Sequence, residues 1–102
     1  NLNIDYPDKL IPANGVYAVR IGIPDGKHYG GMLNIGHRPT LNRPNDYSIE
    51  VNIFDFSEDL YGKPLSVELI EYVRTEKTFA DIKALQSQLV KDKETICKIL
   101  SE

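Results

Sequence analysis

A mainly β domain, its antiparallel strands closed into a small barrel and followed by a C-terminal helix, is the fold class this sequence predicts. Three observations point to it. Residues 1–76 alternate apolar and polar side chains in short runs separated by Gly, Pro, Asn and Asp, the pattern of strands joined by turns. No helical stretch separates those runs, so consecutive strands are expected to pair antiparallel. Residues 77–102 contain neither Gly nor Pro and hold most of the Lys and Gln, as a helix would.

The elements follow in order. Gly15 to Ile23 would set Tyr17, Val19, Ile21 and Ile23 on one face and Val16, Ala18 and Arg20 on the other. Pro24-Asp25-Gly26 reads as a turn, because Pro presets φ and Gly accepts positive φ. His28 to Ile35 then returns as the second arm of a hairpin. Ser48 to Phe54 alternates again, with Ile49, Val51 and Ile53 on one face. Asp59 to Pro64 has a turn's composition, and Leu65 to Val73 alternates through Leu65, Val67, Leu69 and Val73. In the last segment Ile82, Leu85 and Leu89 recur at helical spacing and predict a buried stripe. Asp81 suits the N-cap, accepting from otherwise orphaned amides. Asp92 is expected to cap a second short helix carrying Ile96, Ile99 and Leu100.

Composition narrows the function classes. The chain has 102 residues, enough for one domain, and 41% of them are apolar, enough for a core. A net charge of −3 excludes a whole-surface basic footprint for nucleic acid. The single cysteine, Cys97, excludes an internal disulfide framework and a cysteine-rich zinc site. No apolar run approaches the roughly 20 residues that span a membrane. The expectation is a slightly acidic cytoplasmic domain with no nucleic-acid or membrane partner.

Four segments depart from a generic barrel. Gly36-His37-Arg38-Pro39-Thr40, continuing to Asn45, is a long cationic loop stiffened by proline. It reads either as a solvated connector or as an anion-binding flap, since Arg forks match phosphate oxygens. Glu50 lies opposite the Ile49/Val51/Ile53 face and next to Asn52. It is either a carboxylate on a wet strand face or one held rigidly toward a site. Phe54-Asp55-Phe56 and Asp59-Leu60-Tyr61-Gly62 interleave rings and carboxylates, as a self-packed turn or as a wall for a planar heterocycle. Val73-Arg74-Thr75-Glu76-Lys77-Thr78-Phe79 joins the last strand to the helix, as a plain connector or as a lid with Arg74 for its anchor. His28 and His37 are too few and too separated for a metal motif, and neither GxxxxGK[ST] nor GxGxxG occurs.

Together these segments, with Pro12 to Val19, Gly31 to Thr40, Ile49-Glu50-Val51, Phe54-Asp55-Phe56, Asp59 to Lys63, Arg74 to Phe79, Gln88 and Asp92, resemble the riboflavin kinase family. The likeness is to the C-terminal kinase module of bacterial bifunctional FAD synthetases (riboflavin kinase/FMN adenylyltransferase) and runs from Asn1 to about Leu100. It implies a riboflavin-kinase-like fold: a six-stranded antiparallel Greek-key barrel over about 1–76, then a helical segment over about 80–100, the whole of 1–102 forming one kinase domain. It implies transfer of the γ-phosphoryl group of ATP to the riboflavin 5′-hydroxyl, giving FMN and ADP with the aid of Mg²⁺. By the same likeness Glu50 is the catalytic base. Asn1, Arg38, Asp55, Leu60 and Tyr61 fall on the nucleotide side, with Asn1 also on the metal. Arg74, Glu76 and Phe79 fall on the flavin side. The loops 36–45 and 74–79 are expected to close over nucleotide and flavin, and a covalently linked FMN adenylyltransferase domain is expected upstream. The Gly-rich loop and Pro-Thr-Ala stretch that precede the Asn1 position in the family would then lie outside this chain. A trimmed module of that kind is expected to expose an unpaired edge near residues 15–23 or on a neighbouring strand, to bind MgATP poorly, and to phosphorylate riboflavin slowly. The alternative reading is a non-catalytic barrel that binds a flavin or a partner protein.

Overall fold

The computed structural model describes residues 2–3, 13–37, 41–42, 47–56 and 62–101. They form five strands and a helix: β1 (Leu2–Asn3), β2 (Gly15–Gly22), β3 (His28–His37), β4 (Tyr47–Ile53), β5 (Ser66–Arg74) and α1 (Ile82–Leu100). The sheet order is β1-β4-β3-β2-β5 and every pairing is antiparallel. The expected hairpin forms with Gly22 opposite His28. Its turn is closed by Gly26 N–H donating to the Ile23 carbonyl at 3.0 Å, and by Asp25 Oδ1 accepting from the Lys27 amide at 2.8 Å.

Both faces of the sheet are covered. On one, Tyr17, Val19, Ile21, Leu33, Ile35, Ile49 and Val51 form a core that Tyr47, Ile53, Leu65 and Val67 flank. Ile49 and Val51 of β4 and Val67 of β5 belong to this one cluster although two strands separate them in the sheet, which fits a sheet that curls as twisted sheets do. On the other face Val16, Ala18, Met32 and Phe54 pack with Ile96 of α1, joined by Ile70, Val73, Leu89, Ile99 and Leu100. A side chain buried as fully as Ile21 is worth about 1.5–3 kcal/mol, so the two clusters account for most of what holds the domain together.

The structure corrects several expectations. Among the described residues the antiparallel sheet has five strands of the six expected, with β1 and β5 at opposite ends of an open order. Residues 15–23 carry no unpaired edge, because β2 pairs with β3 and β5; it is the neighbouring strand β5 that lies outermost. The strict alternation expected for Leu65 to Val73 is broken by register shifts against β2 between Val16 and Tyr17 and between Ala18 and Val19. Each shift inserts one residue into β5, as a β-bulge does. Val67 keeps to the curled core while Ile70 and Val73 turn to the helix side. Tyr72 lies across from Tyr17, ring edge to ring face at 5.1 Å. Gly15, at φ 144, permits this crossing: a Cβ there would lie 2.6 Å from the Tyr72 ring.

Residues 82–100 form one continuous helix rather than two. Asp81 caps it as expected, accepting from the Ala84 amide at 2.8 Å. Asp92 caps nothing; it sits buried in mid-helix. The apolar stripe is also shifted. Ile82 is 72% exposed and Leu85 38%, and the packed positions are Leu89, Ile96, Ile99 and Leu100. The first turns thus project beyond the sheet, while the last one seats against Gly30, where a Cβ would lie 2.6 Å from Leu100 Cδ1.

Candidate functional site

Cross-strand register assembles the site. Residues directly opposite in an antiparallel pair share a face. Arg74 lies opposite Val16, Val16 opposite Asn34, and Asn34 opposite Glu50. One row therefore crosses the sheet on the face that α1 covers. The backbone of β1 continues it, with Asn3 opposite Glu50. Three strand spacings of about 4.8 Å put Arg74 roughly 14 Å from Glu50, so the two cannot touch.

Glu50 is half-buried in mid-strand, and Ser48 Oγ donates to its Oε1 at 3.4 Å. A carboxylate held by a sheet keeps one position better than one on a loop. Asn34 beside it has an enclosed Oδ1 with no donor. A buried acceptor left without a donor costs about 1–3 kcal/mol, a cost that a bound water, an ion or a catalytic role accounts for.

Farther along β4 on the same face a cleft of about 280 Å³ opens between sheet and helix. Met32, Ile53, Phe54, Leu89 and Val90 give it apolar walls; Asn52, Asp55 and Lys93 give it polar ones. Asp55 adopts φ 54, a left-handed turn that Asp tolerates better than most residues. The Phe54 amide donates to the Gly30 carbonyl at 2.9 Å, which fixes where β4 ends. Lys93 Nζ lies 3.5 Å from Asp55 Oδ1 and 5.4 Å from the centre of the Phe54 ring. Both charges are well exposed, so their pairing is worth no more than about 1 kcal/mol. Apolar walls with a few polar groups at the rim suit a flat, partly polar heterocycle.

On the other flank of α1 lies a buried ion pair. Arg74 Nε donates to Asp92 Oδ1 at 2.9 Å and its NH2 to Oδ2 at 2.7 Å. Gln88 adds a bond to Oδ1 at 3.0 Å. Burial by itself would raise the Asp92 pKa, but the hydrogen bonds from Arg74 and Gln88, with the charges of Arg74 and Lys77, hold it below the ordinary carboxylate value. Arg74 NH1 also donates to the Thr75 carbonyl at 2.9 Å, and Lys77 Nζ to Gln88 Oε1 at 3.4 Å.

Of the residues singled out in the sequence, Glu50 and Asp55 occupy one face and its adjoining cleft. Arg74 shares that face but is engaged by Asp92, and Glu76 and Phe79 are half-buried in the segment leading to α1. Asn1, Arg38, Leu60 and Tyr61 lie outside the described residues. The sequence reading assigned no site role to Asn34, Lys93 or Asp92. For Asp92 a signal existed: an acid at helical spacing between Leu89 and Ile96 stands in an apolar stripe and needs a cation.

Comparison with known proteins follows the same lines. The riboflavin kinase family model ("Flavokinase") matches residues 1–100. The bifunctional riboflavin kinase/FMN adenylyltransferase of Bacillus subtilis is 40% identical over 94 residues, which are 90% of this chain and 29% of that protein. Its namesake from Haemophilus influenzae is 38% identical, over 91% of this chain and 30% of that protein. The chain thus spans about three tenths of the length of these relatives. A crystal structure described as a macrolide-efflux protein from Streptococcus pneumoniae superposes with a TM-score of 0.78 at 34% identity, covering 84% of this chain and 28% of that one. With the family model matched across nearly its whole length and these relatives beside it, the chain belongs to the riboflavin kinase family.

Proposed function

We propose that this chain is the kinase part of a longer bifunctional enzyme, transferring the γ-phosphoryl group of ATP to the 5′-hydroxyl of riboflavin and giving FMN and ADP, with an FMN adenylyltransferase domain on the same polypeptide. The observation that carries this reading is Glu50: a half-buried carboxylate fixed in mid-strand, on the face into which the cleft opens. Phosphoryl transfer asks chiefly for positioning and charge neutralisation. In the proposed step Glu50 accepts the proton of the attacking primary hydroxyl, whose oxygen bonds to the γ-phosphorus as the bond to the ADP oxygen breaks. The cleft, whose lining on β4 starts at Asn52, two residues beyond Glu50, supports binding of a planar ring on that face. Arg38, Leu60 and Tyr61, with Asp55, are proposed for the nucleotide side, and Arg74, Glu76 and Phe79 for the flavin side.

Mg²⁺ and Asn1 enter as proposals from the family likeness. The described residues contain no group of three or more His, Cys, Asp or Glu side chains able to hold a metal. Closure of the curled sheet into a six-stranded barrel, and a cytoplasmic location, belong to the same proposal; among the described residues no helix is long and apolar enough to cross a membrane.

The test is ADP release with riboflavin as acceptor, using the full native polypeptide. Glu50→Gln is expected to cut turnover by about 10²-fold or more while riboflavin affinity changes little. Unimpaired turnover in that variant would reject the base, and riboflavin binding without any turnover in the wild type would favour the non-catalytic barrel.

A further inference from the structure

We infer that Asp92, together with Gln88, is a positioning residue for the flavin substrate: acting through Arg74 and Lys77, it sets the path of the 75–79 segment, which the proposed function puts on the flavin side. This inference rests on the proposed kinase reading and adds to it a part for the one fully buried charge among the described residues.

Its geometry is that of a clamp. The Arg74–Asp92 pair joins the end of β5 to mid-helix through two short, parallel bonds, with Asp92 2% exposed. A planar guanidinium gripping a carboxylate in this way fixes orientation as well as distance. The β5 bulges add two residues between Val19 and Val16, so that Arg74 instead of Tyr72 stands opposite Val16. Beyond Arg74 the grip continues into the linker. Arg74 holds the Thr75 carbonyl, and Gln88, which bonds Asp92, also accepts from Lys77. Two of the first three linker residues, Thr75 and Lys77, are thus tied to the same helical turn.

That turn also builds the cleft. Asp92 lies between Leu89 and Lys93, and Leu89, Val90 and Lys93 form the helical wall. If stability alone were at issue, a well-packed apolar pair would serve as well as a buried ion pair. What an apolar pair lacks is directional hold on a connecting segment proposed for the flavin side.

The test uses steady-state kinetics of the full native polypeptide, with riboflavin and ATP varied separately. Gln88→Met and Asp92→Asn are compared with wild type, and hydrogen exchange of the 75–79 amides is followed in each. Gln88 is half-buried and neutral, so its variant is expected to fold even if Asp92→Asn does not. The expected result is a rise in the riboflavin KM of about threefold for Gln88→Met and tenfold or more for Asp92→Asn, about one kcal-scale hydrogen bond in each step. The ATP KM should stay within twofold, and exchange at 75–79 should quicken. A merely structural role would lower the active fraction, and with it apparent kcat, at unchanged KM for both substrates; in Gln88→Met alone that outcome overturns the inference. A wild type that never phosphorylates riboflavin would instead remove the kinase reading, and this inference with it.

Discussion

The two faces of the sheet are built from the same strands, yet they hold different kinds of side chain. The curled face gathers Tyr17, Val19, Ile21, Leu33, Ile35, Ile49 and Val51 into a cluster in which Tyr17 has the one polar atom, and its hydroxyl donates outward to the Ala13 carbonyl at 2.6 Å. The helix-covered face also packs apolar groups, but it runs a polar row from Arg74 through Asn34 to Glu50, encloses Asp92, and leaves a cleft. Polar groups cost free energy when buried unless they are paired. One face therefore supplies the stability that lets the other hold a carboxylate and an amide oxygen without a donor in place.

This division can be broken at chosen points. The largest effect is expected where it is least clean. Asp92→Ala leaves Arg74 in a mostly buried setting without its partner, and removing one member of such a pair costs about 3–5 kcal/mol, a large part of a small domain's stability. Urea unfolding should show it, and a loss under 1 kcal/mol would mean that water reaches the pair freely. Ile21→Ala, on the curled face, is expected to cost about 2–5 kcal/mol. If the faces divide as described, the folded fraction of this variant keeps the wild-type riboflavin KM; a changed KM would show that the curled face also shapes the site.

Acid should erode the helix-covered face in particular. Because the Asp92 carboxyl is held below its ordinary value in the folded protein, its contribution is complete above the unfolded value of about 3.9 and is lost as pH falls through the lower folded value. Thermal unfolding at pH 6 and pH 3 should show a steeper loss in wild type than in Asp92→Asn; equal losses would deny the depressed pKa. The smallest effect is expected for Lys93→Met. Its exposed bridge to Asp55 and its contact with the Phe54 ring are each worth about 1 kcal/mol or less. Denaturant midpoints should barely move, and a large shift would place Lys93 in the fold's core energetics.

Local pattern revealed what local physics decides. The β2–β3 hairpin was legible because Pro24, Asp25 and Gly26 fix a turn through their own backbone preferences, and the helix start because Asp81 satisfies amides three residues on. Glu50 was legible as the polar residue on an alternating strand, but its neighbour Asn34 needed the β3–β4 register. The bulges in β5 were hidden, since alternation through Leu65, Val67 and Leu69 gives no notice of the inserted residues that follow. Asp92 was misread for a related reason. Asp favours helix caps, and the partner that holds it inside a helix lies 18 residues earlier in the chain. Arg38, Leu60 and Tyr61 were legible as parts of a cationic loop and a ring-bearing turn, while their nucleotide-side roles, and Asn1 altogether, came from family likeness.

The place of β2 between β3 and β5 has a consequence during synthesis. One edge of β2 meets its partner within a short hairpin, whereas the other waits for residues 66–74. At about 5–20 residues per second a ribosome takes seconds to make the intervening stretch, while hairpins close in about 1–10 μs. Throughout that interval the nascent chain presents a strand edge, flanked by Val19 and Ile21, to any other chain able to add to it. A chaperone that shields residues 15–22 until β5 emerges would therefore raise the yield of folded protein, and slow translation after β4 would lower it.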